Sequence, residues 1–168
     1  PIFKQNASCR AVYEYAKEHL PQYSKVLLAM RWGSQMPENS HSLAYDADFF
    51  KKFDLMLQKL SSEKQAVYLM LDNPNLSYNG LRAYILSYRI PGFSQNLVID
   101  EQNTFKGNER IKKLAEKYAN VHIIDAVAYI PHNFKINGLP VYSDRDHINP
   151  YGGRELAKRF SEKHTLLQ

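Results

Sequence analysis

Three short apolar runs, separated by stretches of helical periodicity, constrain the fold of this chain more than any other feature. The runs lie within residues 25–30, 66–71 and 121–124, in which Lys25 and His122 are polar. Continuous apolar runs of this length are typical of strands that are covered on both faces of a sheet. Parallel neighbours need long crossover connections, so the intervening helices predict a parallel sheet. We therefore expect an α/β fold with three layers, α/β/α.

The helices are predicted from apolar residues three and four positions apart. We expect them at about residues 9–20, 45–62, 81–88, 108–118 and 150–164. The second is the clearest, because Phe50, Phe53 and Leu57 fall on one face. The last begins with Asn149 as N-cap and Pro150 at the first helical position, where the missing amide hydrogen of proline costs little.

Length and composition predict one domain, residues 1–168, that buries its own core: the chain is 44% hydrophobic and 23% charged. Its 22 Lys and Arg against 17 Asp and Glu give a net charge of +5. The basic residues are scattered beside acids, so we expect a solvated surface and no nucleic-acid partner. Apolar runs such as 26–30 fall far short of the ~20 residues that cross a bilayer. The lone Cys9 excludes an internal disulfide and a Cys-rich zinc site.

The strongest chemical signal is the segment LPVYSDRDHINPYGG at residues 139–153, which places Asp144 three residues before His147. In a turn, that spacing lets Asp144 fold back onto the imidazole, whereas the adjacent Asp146 is expected to point elsewhere. An aspartate bound to one ring nitrogen fixes the tautomer and leaves the other nitrogen as a general base. The alternative is a solvated polar turn in which Asp144 only caps the chain. We expect no metal at Asp144, Asp146 and His147, and no cofactor.

This segment resembles the last conserved block of SGNH hydrolases, in which Tyr-x-Asp-x-x-His precedes a helix. More narrowly, it resembles the SGNH domain at the carboxyl end of acyltransferase family 3 membrane proteins, which O-acetylate bacterial surface glycans. The strand ends at Arg31-Trp32 and at Asn73-Pro74 agree, and the resemblance extends over residues 9–160. It implies a flavodoxin-like parallel sheet, with His147 as catalytic base and later acid and Asp144 as its orienting partner.

Two departures from the family pattern concern the nucleophile and the oxyanion hole. The chain contains no Gly-Asp-Ser, and neither Ser8 nor Ser34 lies where the family places its serine. We therefore expect that the sheet lacks its first strand and that the serine lies upstream. Where classical members carry Gly-x-Asn-Asp, this chain reads Arg31-Trp32-Gly33. The backbone amides or the side chains of Arg31 and Trp32 are oxyanion or substrate-binding candidates; alternatively, Trp32 packs and Arg31 pairs with a carboxylate.

The resemblance implies acetyl transfer to hydroxyls of a bacterial cell-envelope glycan by the extracytoplasmic domain of a membrane protein. Its implied partners are a glycan acceptor, an acyl donor, an upstream segment with the nucleophile and an N-terminal transmembrane acyltransferase domain. If Tyr142 or Tyr151 is exposed beside the site, it is a candidate to stack on a sugar ring. Two alternatives stay open: a carbohydrate acetyl esterase of the same fold, and a non-catalytic glycan-binding or structural domain.

Overall fold

The computed structural model describes residues 7–37, 45–92, 99–100 and 104–163. The helices are α1 (Ala7–His19), α2 (Phe49–Glu63), α3 (Gly80–Arg89), α4 (Thr104–Ala115) and α5 (Pro150–Ser161). The strands are β1 (Lys25–Ala29), β2 (Ala66–Met70), β3 (Asn75–Leu76), β4 (Ile99–Asp100), β5 (Val121–Ile124), β6 (Lys135–Ile136) and β7 (Leu139–Pro140). The chain divides into two compact units, residues 1–72 with 105–124 and residues 73–104 with 125–168.

The first unit contains the parallel sheet that the apolar runs predict. Its strand order is β1-β2-β5, with Val26 opposite Val67 and Val67 opposite Val121. Helices flank this sheet, so the predicted three-layer α/β/α arrangement is confirmed. The predicted positions of all three strands are confirmed to within one residue.

The exposure of β1 differs from the prediction. Val67 and Leu69 of the central strand β2 are fully buried, but Leu27 of β1 is 54% exposed. In the described sheet β1 pairs with a neighbour along one edge only. The expectation that this strand is covered on both faces is therefore wrong at Leu27. A run of apolar residues does not by itself distinguish a central strand from an edge strand.

The core of the first unit forms between the sheet and helices α2 and α4. Phe49 and Phe53 stack with their ring centroids 5.6 Å apart, and Trp32 lies 5.1 Å from the Phe53 ring. The buried cluster consists of Trp32, Met36, Phe49, Phe50, Phe53, Leu57, Leu60, Val67, Leu69, Leu71, Ile111, Ala115 and Val121. The helical periodicity of residues 45–62 thus correctly identifies the buried face of α2.

The second unit has a smaller core and more irregular chain. Strands β3 and β4 form one antiparallel pair and β6 and β7 another. Asn137 and Gly138 connect β6 to β7 with φ of 49° and 78°, as in the tight hairpin turns that Asn-Gly favours. This hairpin was not predicted from the sequence, although Asn-Gly is a hairpin signal. The core comprises Leu76, Phe134, Ile136, Val141, Tyr142 and Leu156.

Among the residues that the structure describes, no helix is both long and apolar enough to cross a bilayer.

Candidate functional site

Asp144 and His147 form a carboxylate–imidazole pair in the second unit. Nδ1 of His147 lies 2.9 Å from Oδ2 of Asp144, while Oδ1 of Asp144 accepts the backbone N–H of His147 at 2.8 Å. A carboxylate oxygen can only accept, so Nδ1 is the donor and the neutral ring carries its lone pair on Nε2. The imidazole side chain is 72% exposed. Asp144 therefore folds back onto the imidazole as predicted. It also caps the backbone of the turn, so both predicted roles are present together.

The loop that carries this pair is held by its backbone carbonyls. The carbonyl of Asp144 accepts from the Gly80 amide at 2.9 Å, and that of Arg145 accepts from the Leu76 amide at 2.7 Å. The next carbonyl, at Asp146, accepts from the side-chain amide of Asn73 at 2.7 Å. Finally, the carbonyl of His147 accepts the backbone amide of Ser143. Because four successive peptide units are fixed, the imidazole and carboxylate are presented on a preorganised loop.

The start of α5 supports the same loop from its other end. Asn149 is the N-cap as predicted: its Oδ1 accepts the Gly152 amide at 2.7 Å, and its Nδ2 donates to the Pro140 carbonyl. Gly152 lies so close to Val141 that an added Cβ would come within 2.4 Å of the Val141 carbonyl oxygen. This close approach brings the first turn of α5 directly against Val141, three residues before Asp144.

The electrostatics of the pair favour an ionised Asp144. Backbone hydrogen bonds from Asp146 and His147 are the main causes that lower the pKa of Asp144, and the His147 side chain adds to them. Asp146 also lies near the imidazole, with Oδ1 3.1 Å from Nδ1. The expectation that Asp146 points elsewhere is therefore wrong. The backbone carbonyl of Asp146 is held by the side-chain amide of Asn73.

The same three side chains offer a possible set of metal ligands. One donor atom each of Asp144, Asp146 and His147 lies within 4.8 Å of the others. However, Oδ1 of Asp144 already accepts two backbone N–H groups, and its Oδ2 accepts Nδ1 of the ring. This hydrogen bonding is that of an orienting carboxylate, and a metal on Nδ1 would have to replace it.

The three oxyanion candidates lie in the first unit, in and just before a short 3₁₀ turn, Trp32–Gln35. Trp32 is fully buried and its indole Nε1 donates to the Met70 carbonyl at 2.7 Å, so its side chain is a packing group and not an open donor. The amide of Gly33 donates to Oδ2 of Asp72 at 3.0 Å. Arg31 is exposed, and its charge opposes the rise that burial causes in the pKa of Asp72.

Asp72 was not identified from the sequence as a candidate, although it directly follows the second apolar run. Burial raises its pKa to about 6, against the opposing effects of the Gly33 amide, the Arg31 charge and the Trp32 amide. Asn108 binds both backbone groups of Asp72, donating to its carbonyl and accepting its amide, each at 2.9 Å. The signal available in the sequence was its position, since polar residues at the carboxyl ends of parallel strands often line sites.

The two tyrosines considered for sugar stacking are placed differently from the expectation. Tyr142 is fully buried, and its hydroxyl donates to the Pro74 carbonyl at 2.9 Å. Burial raises the pKa of Tyr142 to about 12, with a smaller rise from the charge of Asp146. Tyr142 therefore does not meet the condition for sugar stacking, because its ring lies in the core with Leu76 and Leu156. Tyr151 is half-buried, and its hydroxyl donates to the Ile136 carbonyl.

Comparisons with known proteins agree with this fold. A family model described as the SGNH domain fused to AT3 domains matches residues 1–162. The chain therefore belongs to the SGNH domain family that is fused to AT3 domains.

A solved structure of similar fold is the periplasmic domain of the lipopolysaccharide acetyltransferase of Salmonella ser. Paratyphi A. It is 12% identical, with a TM-score of 0.66 over 95% of this chain and 64% of that one. At this identity the likeness shows the fold, and the chain spans less than two thirds of that domain. Comparison with curated protein sequences gives no significant match.

Proposed function

We propose that this chain is the SGNH part of an enzyme that transfers an acetyl group to a hydroxyl of a bacterial cell-envelope glycan. The observation that carries the proposal is the Asp144–His147 pair on its fixed loop. Membership of the family fused to AT3 domains supports acyl transfer as the chemistry. The name of the structural neighbour, a lipopolysaccharide acetyltransferase, supports a glycan acceptor and a periplasmic location.

In the proposed reaction, Nε2 of His147 takes the proton from a serine hydroxyl as the serine oxygen attacks the acetyl donor. Asp144 holds the ring and stabilises the imidazolium that forms. The tetrahedral oxyanion collapses to acetyl-serine, and the imidazolium gives its proton to the leaving group. His147 then takes a proton from the acceptor hydroxyl as that oxygen attacks the acetyl-serine. When the second tetrahedral intermediate collapses, the imidazolium returns the proton to the serine oxygen.

In this proposal the serine is supplied by a segment that is not part of this chain. The partners we propose are the glycan acceptor, the acyl donor and an N-terminal transmembrane acyltransferase domain. The exposed Arg31 is the remaining side-chain candidate for stabilising the oxyanion or for binding substrate. The Gly33 amide already donates to Asp72, so it would have to give up that hydrogen bond to act as an oxyanion donor.

An acetyl esterase of the same fold is the second candidate function, and the exposure of the His147 side chain favours it. Water that reaches the imidazole can replace the glycan hydroxyl in the second half of the reaction. The transferase and the esterase use the same triad, so they differ in the exclusion of water and in acceptor binding. A non-catalytic glycan-binding domain is the outcome if no acetyl-serine forms.

The test is an acetyl-ester assay with a chromogenic substrate on this chain and on a longer polypeptide extended upstream. We expect activity only in the longer polypeptide. In it, His147→Ala should lower the rate by about 10³-fold or more, because the general base is lost. The control is His132→Ala, which changes an exposed histidine in a loop of the same unit.

Two results would contradict the proposal. An inactive longer polypeptide that still binds glycan would support the binding module, and full activity after His147→Ala would remove the triad. Supplying a soluble glycan acceptor then separates the two enzyme classes. Acetylated glycan is expected from a transferase, and free acetate at an unchanged rate is expected from an esterase.

A further inference from the structure

Helix α3 exposes an unusual row of apolar side chains. Leu81, Ile85 and Tyr88 are all exposed, and Tyr88 is 86% exposed. Their spacing of four and then three residues puts them on one face of the helix. The opposite face carries the buried Gly80 and Ala83. Of the nine large apolar residues that the described part of the chain exposes, four lie between 81 and 90.

Both charged residues of α3 itself are arginines. Between residues 73 and 99 the sequence contains two arginines and no other charged residue, in a chain with 17 Asp and Glu. Arg82 and Arg89 are seven positions apart, so they lie along one flank of the apolar row. On the other flank, the Lys135 ammonium lies 5.5 Å from the centre of the Tyr84 ring. The α3 face, meaning Leu81, Arg82, Ile85, Tyr88 and Arg89, is therefore apolar along its middle and cationic at its edges.

This combination is characteristic of helices that lie in the interface of an anionic bilayer. Apolar side chains enter the boundary between headgroups and acyl chains, while arginines bind the lipid phosphates. The exposed Leu55 of α2 differs, because Lys51, Asp54 and Lys59 lie near it on the same helix and mix both signs of charge. The charge pattern of α3 thus favours a lipid surface as its occupant.

We propose that the α3 face binds the surface of a membrane that contains anionic phospholipid. The three apolar side chains enter the interface and the two arginines contact headgroup phosphates. The choice of a lipid surface draws additional support from the membrane domain in the proposed function. The binding test involves no acyl transfer, so the two proposals can fail separately.

The first experiment measures co-sedimentation of this chain with vesicles of phosphatidylglycerol and phosphatidylcholine, and with vesicles of phosphatidylcholine alone. We expect binding to the anionic vesicles that weakens with salt. Arg82→Gln with Arg89→Gln should lower it by about 25-fold, since each cation at such a surface contributes about five-fold. The matched control is Lys51→Gln with Lys113→Gln, which removes the same charge from other exposed helix positions. An equal loss in both double variants would assign binding to net charge and overturn the proposal.

The second experiment reports the depth of α3. Trp32 is the chain's single tryptophan and is buried, so Tyr88→Trp adds a solvent-exposed reporter. Its emission should shift to the blue with anionic vesicles, whereas Tyr23→Trp, at an exposed position in the other unit, should not shift. A blue shift of Tyr88→Trp that depends on protein concentration without vesicles would identify a second copy of the chain as the occupant. That result, or the absence of any shift, contradicts the lipid proposal.

Discussion

Asp72 and Asp144 are two carboxylates that both accept backbone N–H groups, yet their pKa values move in opposite directions. Asp72, in the first unit, accepts the Gly33 amide, but burial dominates and raises its pKa to about 6. Asp144, in the second unit, accepts two amides and an imidazole in an exposed loop, and its pKa is lowered. The comparison shows that desolvation outweighs two backbone hydrogen bonds and a nearby positive charge at Asp72, whereas the hydrogen bonds outweigh desolvation at Asp144.

The largest expected effect tests whether Asp144 is the orienting carboxylate. In the longer, active polypeptide, Asp144→Asn should lower the rate by about 10²–10⁴-fold, because the amide no longer stabilises the imidazolium. Asp146→Asn is the matched variant, since its carboxylate also approaches Nδ1. We expect a smaller loss there, because Asp144 is the carboxylate fixed by two backbone amides. A reversed order in the measured rates would assign orientation to Asp146.

The second prediction concerns the stability of the first unit as pH changes. The raised pKa of Asp72 means that its ionised form opposes folding above about pH 6, and this cost disappears below pH 3.8. The difference of about two between the folded and the unfolded pKa of Asp72 corresponds to at most about 3 kcal/mol in the free energy of unfolding. Asp72→Asn should therefore stabilise the protein at pH 8 and lose this advantage as the pH falls to 4, as measured by urea unfolding.

In the same unfolding experiment, Asp144→Asn should change the free energy of unfolding in the opposite direction and destabilise the protein at pH 8. The pKa of Asp144 is lowered in the folded state, so its ionised form favours folding at neutral pH. That contribution is lost as the pH falls through the folded pKa. The comparison fails if both variants change the free energy of unfolding in the same direction at pH 8.

A smaller effect tests the support of the Asp144 loop by α5. Gly152→Ala forces a methyl group against the Val141 carbonyl and should destabilise the protein by about 1–3 kcal/mol. Gly153→Ala is the control in the same helix, because a Cβ there meets nothing within 4 Å. It should stabilise by up to about 1 kcal/mol through helix propensity. Thermal unfolding of both variants distinguishes close packing from a general intolerance of substitution.

The smallest effect concerns the N-cap. Asn149→Ala removes the acceptor for the Gly152 amide and the donor to the Pro140 carbonyl, so we expect a loss of about 1 kcal/mol. Asn79→Ala removes the corresponding cap of α3, which accepts the Arg82 amide. An equal fall in stability with an additional fall in rate for Asn149→Ala alone would show that this cap also positions His147.

The sequence predicted the parts of the fold that depend on local pattern. Apolar runs located the strands of the sheet, and helical spacing located α2 and its buried face. The Asp144–His147 pair was also predictable, because three-residue spacing in a turn is a local constraint. The Asn-Gly hairpin also depends on local sequence, and Asn137-Gly138 would have been enough to predict it.

Contacts between distant segments decided what the sequence left open. The pKa of Asp72 depends on the turn at Gly33, 39 positions away, and the carbonyl of Asp146 accepts from Asn73, 73 positions away. The same holds for Trp32 and Tyr142, whose polar groups bind carbonyls 38 and 68 positions away and whose rings are buried. The sequence alone therefore determined which residues are able to do chemistry, because residue type and local spacing express that. Only the tertiary structure decided which of them are buried, bonded or exposed, because desolvation and long-range hydrogen bonds arise when distant segments pack together.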